Sequence, residues 1–140
     1  MFDSQKAKRI SRRRRTNDIL RNSLFLVVAG SDDLANIYFT IGIRRLHYDI
    51  NAYTDLMVSQ ASNFVQELYK LGARKIGVFG VPPIGCLPAQ RTLAGGFSRG
   101  CVVEYNQAAQ LANTKLSAAI ASLPKNLLQS VLVLISVDFD

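Results

Sequence analysis

Three stretches of this chain are apolar almost without interruption, and two others are apolar only at every third or fourth position. The continuous stretches are Ser23 to Ala29, Lys75 to Gly80 with Ile76, Val78 and Phe79, and Val131 to Val137. Each has the length of a strand. A strand without polar alternation is one covered on both faces, which points to a parallel sheet between helix layers. In the first periodic stretch, Asn51 to Leu71, the repeating positions are Tyr53, Leu56, Met57, Ala61, Phe64, Val65 and Leu68. In the second, Val102 to Leu123, they include Tyr105, Ala108, Ala109, Ala112, Leu116 and Ile120. That spacing places one apolar stripe on each of two amphipathic helices. Asn51 is the expected N-cap of the first, Gly72 its C-terminal glycine, and Pro124 helps stop the second. Strand, loop, helix, strand, loop, helix, strand is two successive βαβ units. Three strands make a small sheet, since a sheet covered by helices on both faces usually has about five or more.

The segments between follow no clear period. Leu34 to Ile50 mixes aromatic and basic residues and reads as irregular. Pro82, Pro83 and Pro88 argue against helix and central strand, so Val81 to Pro88 reads as a stiff loop that continues through Gly95-Gly96. Thr16 to Asn22 reads as a short helix.

Charge sharpens the division of the chain. The net charge is +7, but residues 1–15 alone carry +6, through Lys6, Lys8, Arg9 and Arg12 to Arg15 against Asp3. The remaining residues carry +1. The expectation is a basic, unstructured tail over 1–15 and one nearly neutral domain over 16–140. A hydrophobic content of 49% is that of a globular chain. No apolar run approaches the roughly 18 residues that span a bilayer. No apolar leader segment follows the basic residues, so the chain as written is expected in the cytoplasm.

Candidate chemistry is sparse. Gly30-Ser31-Asp32-Asp33 lies past the C-terminal end of the first strand, where open α/β sheets bind ligands. It is placed to present side chains or backbone N–H groups to a substrate; the plainer reading is that Asp32 or Asp33 caps the next turn. The proline loop is a second candidate, as a pocket wall or a rigid connector. His47 is the sole histidine and reads as a surface residue, because a catalytic histidine needs a nucleophile to serve and an acid to orient it. Cys86 and Cys101 lack zinc-site spacing and are either a disulfide or two unrelated thiols. No metal and no cofactor are expected. No serine stands in a G-x-S-x-G elbow.

Five stretches resemble the plant GDSL esterase/lipase family of the SGNH hydrolases, in its extracellular-lipase-like branch. Ser23 to Leu34 looks like the family's third conserved block with its leading strand. His47 to Met57 looks like the start of the following helix. Leu71 to Gly80 and Pro82 to Pro88 look like the next strand and its proline loop, and Glu104-Tyr-Asn-Gln107 fits the last helix. The resemblance runs from about Asn17 to Val137. It implies a three-layer α/β/α sandwich with a flavodoxin-like parallel sheet, incomplete here, and ester hydrolysis through a serine acyl-enzyme on a lipid or small ester. It also implies a disulfide between Cys86 and Cys101, as in secreted relatives. The family draws its serine from a GDS block and its aspartate and histidine from a DxxH block, and neither occurs in these 140 residues. At the oxyanion position the family pattern G-x-N-D is met by Gly30 and Asp33, but Asp32 stands where the family has asparagine. An ionised aspartate cannot donate a hydrogen bond. The expectation is a central fragment without activity of its own. The competing reading is a non-catalytic interaction protein on the same scaffold, with the arginine-rich tail binding anions.

Overall fold

A computed structural model describes residues 2–123 and 131–135. The elements in chain order are α1 (Phe2–Asn22), β1 (Leu24–Val27), a π-helix (Asp33–Ile41), α2 (Ile50–Leu71), β2 (Lys75–Phe79), α3 (Pro88–Ala94), α4 (Val103–Ala121) and β3 (Val131–Ile135). Two single 3-10 turns, Arg44–Leu46 and Ile84–Cys86, sit between them. The three strands form one parallel sheet in the order β1-β2-β3. Phe25 aligns with Ile76, and Ile76 with Leu132. The expected pair of βαβ units is present, and the architecture is an α/β sandwich with one helix layer complete. Pro124 and residues 136–137, expected as a helix stop and the end of a strand, lie outside the described residues.

One face of the sheet is packed. Phe25 and Val27 of β1, Ile76 and Val78 of β2, and Leu134 of β3 meet Val65 of α2 and Leu116 and Ile120 of α4. A second cluster lies past the strand ends, where Leu34, Tyr38 and Phe39 of the π-helix pack with Tyr53, Ile84 and Tyr105. Lys115 ties the two long helices together: its ammonium lies 2.6 Å from Asp55 and donates to the Asn51 carbonyl at 2.8 Å. Among the described residues, the opposite face of the sheet is open. Leu24, Leu26, Val28 and Val133 are 64%, 55%, 71% and 50% exposed there.

Four expectations are corrected. Residues 2–22 form one continuous helix rather than an unstructured tail followed by a short helix. Lysine, arginine, glutamine and alanine are good helix formers, and lack of an apolar stripe signals lack of packing, not lack of helix. The side chains from Ile10 to Ile19 are indeed exposed. The segment expected to be irregular holds the π-helix, ended by Gly42 at φ 75°. Within the expected proline loop, Pro88 opens α3 at its first position, where its missing N–H has no intrahelical partner to lose. Finally, Asp49 rather than Asn51 caps α2, its carboxylate accepting the Ala52 N–H at 2.7 Å. The cap moves back because Ile50 packs on the aromatic cluster and joins the helix.

Candidate functional site

The strongest candidate in the sequence, Gly30 to Asp33, sits where β1 runs out. Gly30 adopts φ +98°, and a Cβ there would lie 2.9 Å from the Met57 methyl. Any other residue would be strained in this left-handed conformation and would press on α2. The turn closes through the Leu34 N–H, which donates to the Gly30 carbonyl at 3.1 Å. Asp32 is exposed, and its Oδ1 accepts a hydrogen bond from Nδ2 of Asn36, one turn further on. The carboxylate therefore acts as an acceptor, and its side chain offers no N–H to a developing negative charge. Asp33 is half-buried and faces a cavity.

That cavity, about 650 Å³, opens beside β1. Leu26 to Gly30 form one wall, Met57, Ala61 and Phe64 of α2 the other, and Asp33, Arg44 and Tyr53 the polar end. Burial pushes the Tyr53 phenol above its ordinary value of 10.0, Asp33 raises it further, and Arg44 opposes both. Tyr38, stacked on Tyr53 at 4.9 Å, is raised chiefly by burial. Both phenols are neutral at physiological pH, so they serve as hydrogen-bond donors rather than bases. The cleft suits a small molecule with an apolar body and one polar group. Among the described residues its wall contains no serine, cysteine or histidine.

His47 does not join this site. It is exposed and ends the Arg44–Leu46 turn, its backbone N–H donating to Arg44 at 3.1 Å. Among the described residues, no serine or acid is hydrogen-bonded to its ring. The same holds for metal sites: no group of three metal-binding side chains occurs among the described residues.

The proline loop is held by α4. The Asn113 amide grips the backbone of Val81 at both ends, accepting its N–H at 2.7 Å and donating to its carbonyl at 2.9 Å. Asn106, two helical turns earlier, accepts the Gly85 N–H at 2.8 Å and donates to the Cys86 sulfur. The Gly85 carbonyl accepts the Val102 N–H at 2.9 Å, an approach so close that a Cβ on Gly85 would lie on the Val102 oxygen. Cys86 and Cys101 form a disulfide, with Cα atoms 4.4 Å apart. Val81 lines the cavity, so these contacts fix part of its wall. Sequence reasoning passed over Asn36 and Asn113 and gave Asn106, within the Glu104–Gln107 stretch, no role of its own. The available signal was two asparagines seven positions apart on one side of a predicted helix.

Among the described residues, no helix is long and apolar enough to cross a membrane. The GDSL-like Lipase/Acylhydrolase family matches residues 3–139, which takes in α1, a segment largely outside the resemblance read from the sequence. The Arabidopsis thaliana protein GDSL esterase/lipase EXL3 is 53% identical over 123 residues, covering 88% of this chain and 34% of that protein. GDSL esterase/lipase EXL2 of the same plant is 44% identical over 133 residues, covering 95% of this chain and 35% of its own length. This chain thus spans about a third of the relatives it matches. No solved structure gives a significant match. The strand-end turn, the parallel sheet with its packed helix pair and the match over nearly the whole length lead to one conclusion: the chain belongs to the GDSL-like lipase/acylhydrolase family.

Proposed function

We propose that these residues form the substrate-facing core of a GDSL ester hydrolase and that, on their own, they do not hydrolyse esters. One observation carries the reading: the cleft beside Gly30 and Asp33 is lined mostly by apolar side chains, as an ester's apolar body would require, and its described wall has no serine, cysteine or histidine. Acyl transfer needs a hydroxyl activated by a base, and donors aimed at the oxyanion. Gly30, Asp32 and Asp33 occupy the oxyanion position by resemblance. Asp32, exposed and accepting from Asn36, is the wrong chemical partner for that charge. The disulfide supports folding in an oxidising compartment, as for a secreted relative. The test is turnover of short-chain p-nitrophenyl esters by the purified chain. The expected rate equals the buffer rate. Turnover that disappears in Asp32→Ala would overturn the reading.

A second reading, a non-catalytic anion-binding protein, draws on the exposed arginines Arg12 to Arg15 of α1. It requires salt-sensitive binding to RNA or acidic vesicles that deletion of residues 1–15 abolishes; lack of binding at low salt removes it.

A further inference from the structure

Building on the substrate-facing role of the Gly30–Asp33 turn, we propose that the Cys86–Cys101 disulfide sets the order of the π-helix behind it, with buried Gln90 as the positioning residue. Reduction then loosens the candidate site while the sheet stays folded.

The π-helix is held from outside its own element. It begins at Asp33, the last residue of the turn, and π-turns are rare and short. Its Ala35 carbonyl accepts the Thr40 hydroxyl at 2.7 Å and the Gln90 amide at 3.3 Å. The same hydroxyl lies 3.5 Å from the Gln90 amide oxygen. Gln90 is 2% exposed, so its amide cannot leave this carbonyl without losing a buried partner.

Gln90 lies within the segment that the disulfide closes. Past Cys86 the chain forms α3, turns at Gly95 and Gly96, and returns to Cys101. The excursion is braced internally: Arg91 Nε donates to the Arg99 carbonyl at 2.6 Å, and the Gly100 N–H to the Gly95 carbonyl at 3.0 Å. Among the described residues, Gln90 is the one buried residue of α3 and the one whose side chain hydrogen-bonds outside residues 86–101. The excursion therefore opens as a unit, and Gln90 goes with it. The disulfide at its base limits the freedom that the open form gains. Cutting the bond makes opening easier, and each opening withdraws the Gln90 amide from the π-helix.

The surroundings of the bond favour exchange. Cys101 is exposed and Cys86 is half-buried. A thiolate of a dithiol reductant attacks the Cys101 sulfur, forms a mixed disulfide and expels the Cys86 thiolate. Asn106 Nδ2, 3.4 Å away, donates to the departing sulfur, and a stabilised thiolate leaves faster. The second thiol of the reductant then displaces Cys101. The two hydrogens of the dithiol end on the cysteines, and the reductant becomes a disulfide. An oxidising compartment thus does more than support folding: it keeps Gln90 against the π-helix.

Hydrogen exchange of the full 140-residue chain, read by mass spectrometry with and without dithiothreitol, tests this. Amides of residues 34–41 and 87–100 should exchange about tenfold faster or more after reduction, while those of β2 and the later turns of α2 keep their rates. In Gln90→Leu, residues 34–41 should exchange fast already in the oxidised chain. Reduction should add nothing there, though it still loosens 87–100. A second readout needs no variant. The tyrosine near-ultraviolet circular dichroism, to which Tyr38 stacked on Tyr53 contributes, should fall on reduction while the far-ultraviolet signal holds. Uniform acceleration across the chain, a π-helix indifferent to reduction, or a Gln90→Leu π-helix that still responds would each overturn the proposal. Ester turnover by the chain would overturn only the function proposed above, since these exchange rates do not depend on it.

Discussion

Tyr53 shows how much of this site depends on single side chains. Its phenol is raised by burial and by Asp33 and lowered by Arg44. Asp33→Asn should therefore bring its titration down toward 10.0, and Arg44→Ala should push it further up, both readable as tyrosinate absorbance against pH. A pKa raised in the folded state contributes stability that is intact below the unfolded value of about 10. That contribution is lost as the pH rises through the folded value, so unfolding should become easier across that alkaline window. Asn113 carries a different load. Asn113→Ala removes both partners of the Val81 backbone and should cost about 2–3 kcal/mol in urea denaturation, whereas substitution of exposed Thr114 beside it should change little. The disulfide closes a fifteen-residue separation. Replacing Cys86 and Cys101 together by serine should cost about 3 kcal/mol in the chain-entropy model. At this scale the sequence revealed Gly30 and Asp33 through their place after a strand. It hid Asn106 and Asn113, because their partners are backbone groups more than twenty residues away, which no local pattern records.

The elements divide by what holds them. α2, α4 and the strands were readable because tertiary burial imposes a period on their apolar residues, and Gly72 at φ +115° marks the end of α2 as expected. The π-helix escaped because its wider turn departs from the 3.6-residue period. Its Ala35 carbonyl is met by the Thr40 hydroxyl at 2.7 Å and the buried Gln90 amide at 3.3 Å, a long-range partner from α3. Gln90→Leu removes that donor and should destabilise the chain by about 1–2 kcal/mol. α1 is the opposite case, a helix written in propensity whose described side chains from Ile10 to Ile19 form no packed face. Because Ile10 to Ile19 are exposed, deleting residues 1–15 should shift the urea midpoint by no more than about 0.5 kcal/mol in free energy.

For the molecule as a whole, the distribution of apolar surface decides behaviour more than any side chain. One sheet face is closed by α2 and α4, the other is open, and the cleft lies at the edge between them. The fold class followed from the order of periodic and continuous apolar stretches. The open face did not, since continuous apolar strands predict two covered faces and cannot say what supplies the second cover. The chain belongs to a family of lipases and acylhydrolases and spans about a third of its relatives. The proposed function turns on a mostly apolar cleft whose described wall holds no serine, cysteine or histidine. Intact-mass analysis after exposure to a fluorophosphonate, which attaches covalently to activated serines, addresses this directly. The account predicts an unchanged mass and no labelled peptide. Stoichiometric addition at one serine, abolished by unfolding the chain beforehand, would contradict it.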